Sequence, residues 1–152
     1  MKLCDALAGD RIALNLTSSN RDGAIRELIE MIGRSVRLPD PNALLGLILE
    51  QEAIKTSGVD QHVAIPHARS DDVEGVVAAL GVSGEGIDFH SLDGQPVHLI
   101  FLILSSEISM PAYMSVLSRT ARIFDREEIR RQVLAAASPD EIMEIIRAQE
   151  PF

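Results

Sequence analysis

Cysteine is almost missing from this chain. The single thiol, Cys4, excludes an intrachain disulfide, and a reducing, cytoplasmic setting is expected. Tryptophan is absent and aromatic residues make up 3% of the chain, which leaves little with which to stack nucleic-acid bases. Basic residues are also few: 14 Lys and Arg stand against 23 Asp and Glu, a net charge of −9. Binding to nucleic acid or to an anionic membrane needs clustered positive charge, so neither is expected, whereas a protein partner with a basic patch suits the chain. Long apolar runs are lacking too. The longest, "VHLIFLIL" at 97–104, is far shorter than the roughly 20 residues a membrane-spanning helix needs. The opening "MKLCDALAGDRIAL" has no long apolar core and carries Asp5, so it does not read as a secretory signal, and direct membrane insertion is not expected.

What is present suits a globular domain. Of 152 residues 46% are hydrophobic, and no repeat, low-complexity tract or linker divides the chain, so one domain over 1–152 is expected. "RIALNL" at 11–16 alternates and predicts a short strand. Ile25, Leu28, Ile29 and Ile32 recur at helical spacing, with Ser18, Ser19 and Asn20 as caps and Gly33 as a stop. "PDPNALLGLILEQEAIK" predicts a second helix, capped by Asp40 with Pro41 at its first position. The period then changes. "HVAIP" (62–66), "VVAALGVS" (76–83) and "PVHLIFLIL" (96–104) predict strands, the third apolar at nearly every position and so central and covered on both faces. "GVSGEG" at 81–86 reads as a turn. The last third predicts three helices: one opened by Ser109 and Pro111 and reaching about Phe124, one opened by Asp125, and one capped by Ser138, with Pro139 first and Glu141 completing a capping box. Helices at both ends of a strand-rich middle predict an α/β fold, helices on both faces of a mixed sheet.

Four histidines, His62, His67, His90 and His98, are the candidates for chemistry. His62 and His67 are five positions apart, which in a strand sends them to opposite faces, and one cysteine with no nearby His/Asp cluster argues against a metal site. No metal and no cofactor is expected. No G-x-S-x-G elbow, G-x-x-x-x-G-K-[ST] loop or helix-opening G-x-G-x-x-G occurs. His67 stands out by position. Pro66 fixes its own φ and holds Ile65 extended, so the chain leaves the strand rigidly, and Ala68 to Asp72 are expected to form a polar loop. On residues alone His67 is either a nucleophile at the lip of the sheet or a scaffold histidine. His62, His90 and His98 read as scaffold or solvent-facing.

"TSGVDQHVAIPHAR" (56–69) resembles the phosphorylation segment of the enzyme IIA domains of the bacterial phosphoenolpyruvate-dependent phosphotransferase system, fructose–mannitol type. "GIDFHSLDGQPVHLIFLIL" (86–104) is similar to a downstream segment of the same family, and "LCDALAGDRIALNLTSSNRDGAIRELIEMI" resembles the opening of its free-standing nitrogen-regulatory members. The resemblance implies a three-layer α/β/α sandwich. It implies that His67 accepts a phosphoryl group from the phosphocarrier HPr or a paralogue, and passes it to an enzyme IIB or holds it as a regulatory mark, with regulatory target proteins as partners. Thr56, Ser57 and Gly58 match the family's hydroxyl pair and glycine, and Arg69 follows the histidine as in the family. With no IIB or IIC segment in the sequence, regulation is expected over dedicated sugar uptake.

Four positions depart from the family pattern. Gln51 stands where an arginine is usual, Tyr113 where a second histidine is common, and Asp60 and His62 replace glycines. Gln51 brings hydrogen bonds without charge, and a charge-assisted bond is roughly twice as strong as a neutral one. Arg69 can compensate in part. Whether phosphoryl transfer survives is therefore open, and the alternative is a phosphorylation-impaired binding or signalling module on the same fold.

Overall fold

The computed structural model describes residues 1–58 and 61–152, so Asp60 lies outside the described residues. The chain opens with α1 (Leu3–Ala6), a 3-10 turn (Gly9–Arg11) and β1 (Ile12–Ala13), followed by α2 (Arg21–Ser35) and α3 (Pro41–Ile54). The short β2 (Val63–Ala64) and β3 (His67–Arg69) precede the long β4 (Val76–Ile87) and β5 (Val97–Ser105). The remainder is α4 (Met110–Phe124), α5 (Glu127–Ala135) and α6 (Pro139–Ala148).

The strands form one mixed sheet in the order β1-β4-β5-β2, with β3 also on β5. β4 and β5 are antiparallel, whereas β1 on β4, and β2 and β3 on β5, are parallel. β5 is thus the central strand its composition predicts, with Leu99 to Leu104 at most 1% exposed. Alternation divides its side chains between two cores. Leu99, Phe101 and Ile103 pack with α1, α4, α5 and α6, while Ile100, Leu102 and Leu104 pack with α2 and α3. This is the expected three-layer α/β/α sandwich.

Local chemistry explains most boundaries. Asn20 caps α2 by accepting from the Gly23 N–H, and Asp40 caps α3 through the Ala43 N–H. Ser138 caps α6 through the Glu141 N–H, but Glu141 reaches past it to the Ala137 N–H at 2.7 Å, so the reciprocal arm of the box is one residue early. Other boundaries differ from expectation. Gly33 lies inside α2, because packing of Ile29 and Ile32 carries the helix on to Ser35. β1 keeps two residues of the expected six: the 3-10 turn takes Arg11, and the chain bends at Leu14 and Asn15. The 81–86 glycine run is not a turn but the second half of β4. A bulge between Val82 and Ile87 absorbs it, with Gly86 at φ +87° and its N–H bonded to the Ser83 hydroxyl. Asp125 ends α4 rather than opening α5, whose cap is Arg126.

The edge beside β5 decides the site. β2 and β3 meet β5 in one register, Val63 opposite Leu99 and His67 opposite Ile103, and the ladder breaks only at Ile65 and Pro66. The polar loop expected from Ala68 therefore begins later: His67–Arg69 is a strand, Ala68 is buried, and Ser70 is the first residue outside it.

Candidate functional site

His67 and Arg69 alternate with buried Ala68, so both project from the α4 side of β3 and are exposed. The His67 Nδ1 lies 2.6 Å from the Ile65 carbonyl oxygen. A carbonyl can only accept, so Nδ1 carries the proton and Nε2 carries the lone pair. That carbonyl is free because Ile65 is outside the β-ladder: its N–H turns to the Ser57 carbonyl at 3.4 Å. The broken edge thus fixes the tautomer.

A cleft of about 480 Å³ runs over this edge between α3 and α4. One wall is a single face of α3, Ile48, Gln51 and Glu52 at helical spacing, with the extended C-cap residue Lys55 at its end; Leu117 and Ala121 of α4 form the other, with Thr56, Ser57, Ile65 and His67 between. An adjoining lobe contains Gln51 and His67 again, now with Arg69, Met110 and Tyr113. Gln51, Thr56, Ser57, Arg69 and Tyr113 are therefore gathered around His67.

Their side chains are not equally available. The Thr56 hydroxyl donates to the Phe89 carbonyl at 2.6 Å and accepts the Gly58 N–H at 3.1 Å, which commits it to shaping the turn. Gly58 does not line the cleft; a β-carbon there would stand 2.4 Å from the Ser91 hydroxyl and 3.0 Å from Phe89, so glycine is required for packing. The Ser57 Oγ is buried without a hydrogen-bond partner among the described residues. Such a hydroxyl is unusual in a folded protein and is a ready donor to a ligand oxygen. Tyr113 is buried, its ring centroid 6.1 Å from that of His67. Burial pushes its hydroxyl up to about 12, against the opposing pull of Arg69, so it is neutral and protonated at physiological pH.

Two residues of the cleft have no counterpart in the expectations from sequence. Glu52 is 5% exposed and accepts the Ser57 N–H at 3.0 Å, pinning the turn that carries the hydroxyl pair. Lys55 brings a cation into the same cleft as His67. The signal was available in part: Lys55 is the residue that follows α3 directly, at the end of the face that carries Gln51 and Glu52. The other histidines lie elsewhere. His62 and His98 bond the Pro96 and Ser83 carbonyls, both at 2.8 Å, and His90 is exposed beside Asp88.

Residues 6–149 match the family described as phosphoenolpyruvate-dependent sugar phosphotransferase system, EIIA 2. The chain belongs to that EIIA family. Among its relatives, the fructose-specific EIIABC component of Bacillus subtilis is 36% identical over 150 residues, which cover 99% of this chain and 24% of that longer protein. The fructose-specific EIIA component of Haloferax volcanii is 32% identical over 135 residues, 89% of this chain and 88% of that one. The crystal structure of the nitrogen regulatory protein IIA-Ntr from Neisseria meningitidis superposes with a TM-score of 0.87 at 26% identity, covering 95% of this chain and 98% of that chain. This EIIA domain has no helix, among the described residues, long and apolar enough to cross a membrane.

Proposed function

We propose that this protein is a phosphohistidine carrier in which Nε2 of His67 accepts a phosphoryl group from an HPr-like phosphocarrier. The supporting observation is the 2.6 Å bond from Nδ1 to the Ile65 carbonyl, which leaves an exposed, oriented lone pair on the other nitrogen. In the transfer, the Nε2 lone pair attacks phosphorus as the donor's bond to phosphorus breaks, and the donor keeps that electron pair. Nδ1–H stays on the Ile65 carbonyl and supports the positive charge that develops on the ring. The protein's task is positioning and charge stabilisation on the three equatorial oxygens. The Ser57 hydroxyl supplies a donor, and Lys55 and Arg69 supply charge from either side, in the places left by a neutral Gln51 and a neutral Tyr113.

The phosphoryl group then passes to an EIIB-type acceptor or stays as a regulatory mark on a cytoplasmic signalling protein. The regulatory reading is favoured by the near-complete mutual coverage with a nitrogen regulatory protein; the fructose-specific relatives support the transfer role. A second reading, a binding module that transfers slowly, is favoured by the two neutral substitutions at the cleft. Intact mass after incubation with phosphoenolpyruvate, enzyme I and the cognate HPr separates them. A carrier gains one acid-labile phosphoryl group that His67→Ala abolishes and His90→Ala does not; an unchanged mass after hours supports the binding module.

A further inference from the structure

A second cleft, of about 510 Å³, opens where β5 begins, and His67 is not among its lining residues. Its volume falls within the range of small-molecule sites. His62 and His98 form one side, ring centroids 5.4 Å apart. Each Nδ1 donates to a backbone carbonyl, of Pro96 and of Ser83, so each ring has a fixed tautomer and keeps Nε2 for a ligand. His62 holds this place at φ +64°, after Gln61 at +60°; two successive residues other than glycine in the left-handed region are uncommon. Opposite them, α5 presents Arg130 and Arg131. Arg130 is anchored by its Nη1 bond to the Phe124 carbonyl at 2.7 Å, which leaves the rest of its fork free, and Arg131 pairs with Glu127 at 2.9 Å.

We propose that this cleft is a second ligand site that takes a small phosphate monoester with a hydroxylated carbon skeleton. Two guanidinium forks beside two imidazoles match the oxygens of a dianion, in a chain whose overall charge of −9 otherwise repels anions. As the ester binds, each Nε2 takes up a proton from solvent and donates to a phosphoryl oxygen. Leu99 and Leu134 offer an apolar floor to the carbon skeleton. Asp93 is left to accept from its hydroxyls, because Glu127 is engaged by Arg131. A metal ion fits less well: among the described residues no group of three His, Cys, Asp or Glu is placed to hold one.

Among the described residues, the charged groups facing the pair are Asp93, Glu127, Arg130 and Arg131, and Asp125 accepts the Gln61 amide at 3.3 Å. The test is an NMR titration of the histidine rings in the full chain with glycerol 3-phosphate, inorganic phosphate and sodium sulfate at matched ionic strength, and with zinc. The proposal expects saturable shifts of the His62 and His98 rings that are not matched at His67, strongest with glycerol 3-phosphate. Arg131→Gln, at an exposed position, should weaken binding roughly tenfold or more. The proposal is overturned by unmoved His62 and His98 rings, by equal shifts from sulfate, by unchanged affinity in the Arg131 variant, or by zinc binding without ester binding.

Discussion

Glu150 ties the two ends of the chain together. Its side chain is 1% exposed, and its carboxylate accepts the Leu3 N–H and the Cys4 N–H, both at 2.9 Å, and Arg119 Nη1 at 3.4 Å. Two of these donors are backbone N–H groups of the first turn of α1, which otherwise have no intrahelical partner. Glu150→Ala removes the acceptor from all three and leaves the Leu3 N–H buried. A hydrogen bond to a charged group contributes roughly 1.5–3 kcal/mol, and breaking a buried charged cluster costs about 3–5 kcal/mol. The expected loss is therefore about 4 kcal/mol, or about 10 °C in Tm for a chain of this size. Glu150→Gln keeps the shape and one acceptor and should lose about half as much. Urea denaturation followed by circular dichroism measures both. A second readout is local. Burial first, and then the neighbouring carboxylate, push the Cys4 thiol up, so the alanine variant should also alkylate faster under native conditions. A loss below about 1 kcal/mol, the level of an ordinary surface substitution, would refute the idea that Glu150 clamps α1.

Four further outcomes follow from the His67 cleft and the turn beside it. Gln51→Arg should speed phosphorylation by HPr, read as the initial rate of mass gain, because a guanidinium there can fork onto two phosphoryl oxygens. Lys55→Met should slow the same reaction roughly tenfold with little change in the melting temperature, since the side chain is exposed. Gly58→Ala should destabilise the protein by about 1–3 kcal/mol in urea, because the new methyl group meets Ser91 and Phe89. Tyr113 has a folded-state pKa raised above its unfolded value, so its contribution is fully present below pH 10 and is lost as pH rises towards about 12. Tyr113→Phe should flatten the stability–pH curve over that interval.

The elements legible in the sequence were those whose signals were local and agreed. Asp40 with Pro41, and Ser138 with Pro139, start helices where capping chemistry says they should, and the unbroken apolar run of β5 announced its place between two layers. The signals that failed were overruled from a distance. Gly33 did not stop α2 because Ile29 and Ile32 were already committed to the core, and the glycines of 81–86 stayed in β4 because β5 offered a partner strand. The neighbourhood of His67 was legible in outline, since Gln51, Thr56, Ser57, Arg69 and Tyr113 all gather there. Glu52 and Lys55 were not, because their place beside His67 depends on how the end of α3 packs against the turn that follows it. The split of tasks among neighbours was also hidden: Thr56 and Gly58 are spent on each other, and the unsatisfied hydroxyl of Ser57 exists only once the turn has folded.

The interruption at Ile65 and Pro66 has a consequence outside chemistry. The sheet ends on one side in two-residue β1 and on the other in β2 and β3, short pieces separated by Ile65 and by Pro66, which has no N–H. An unbroken edge beside a strand as apolar as β5 would present a row of open hydrogen-bonding groups to any other chain. Here the row is cut where Ile65 gives its carbonyl to a ring and its N–H to a loop. The defect that orients His67 therefore also guards the sheet against edge-to-edge aggregation, and a substitution that repaired the strand would trade solubility along with the tautomer.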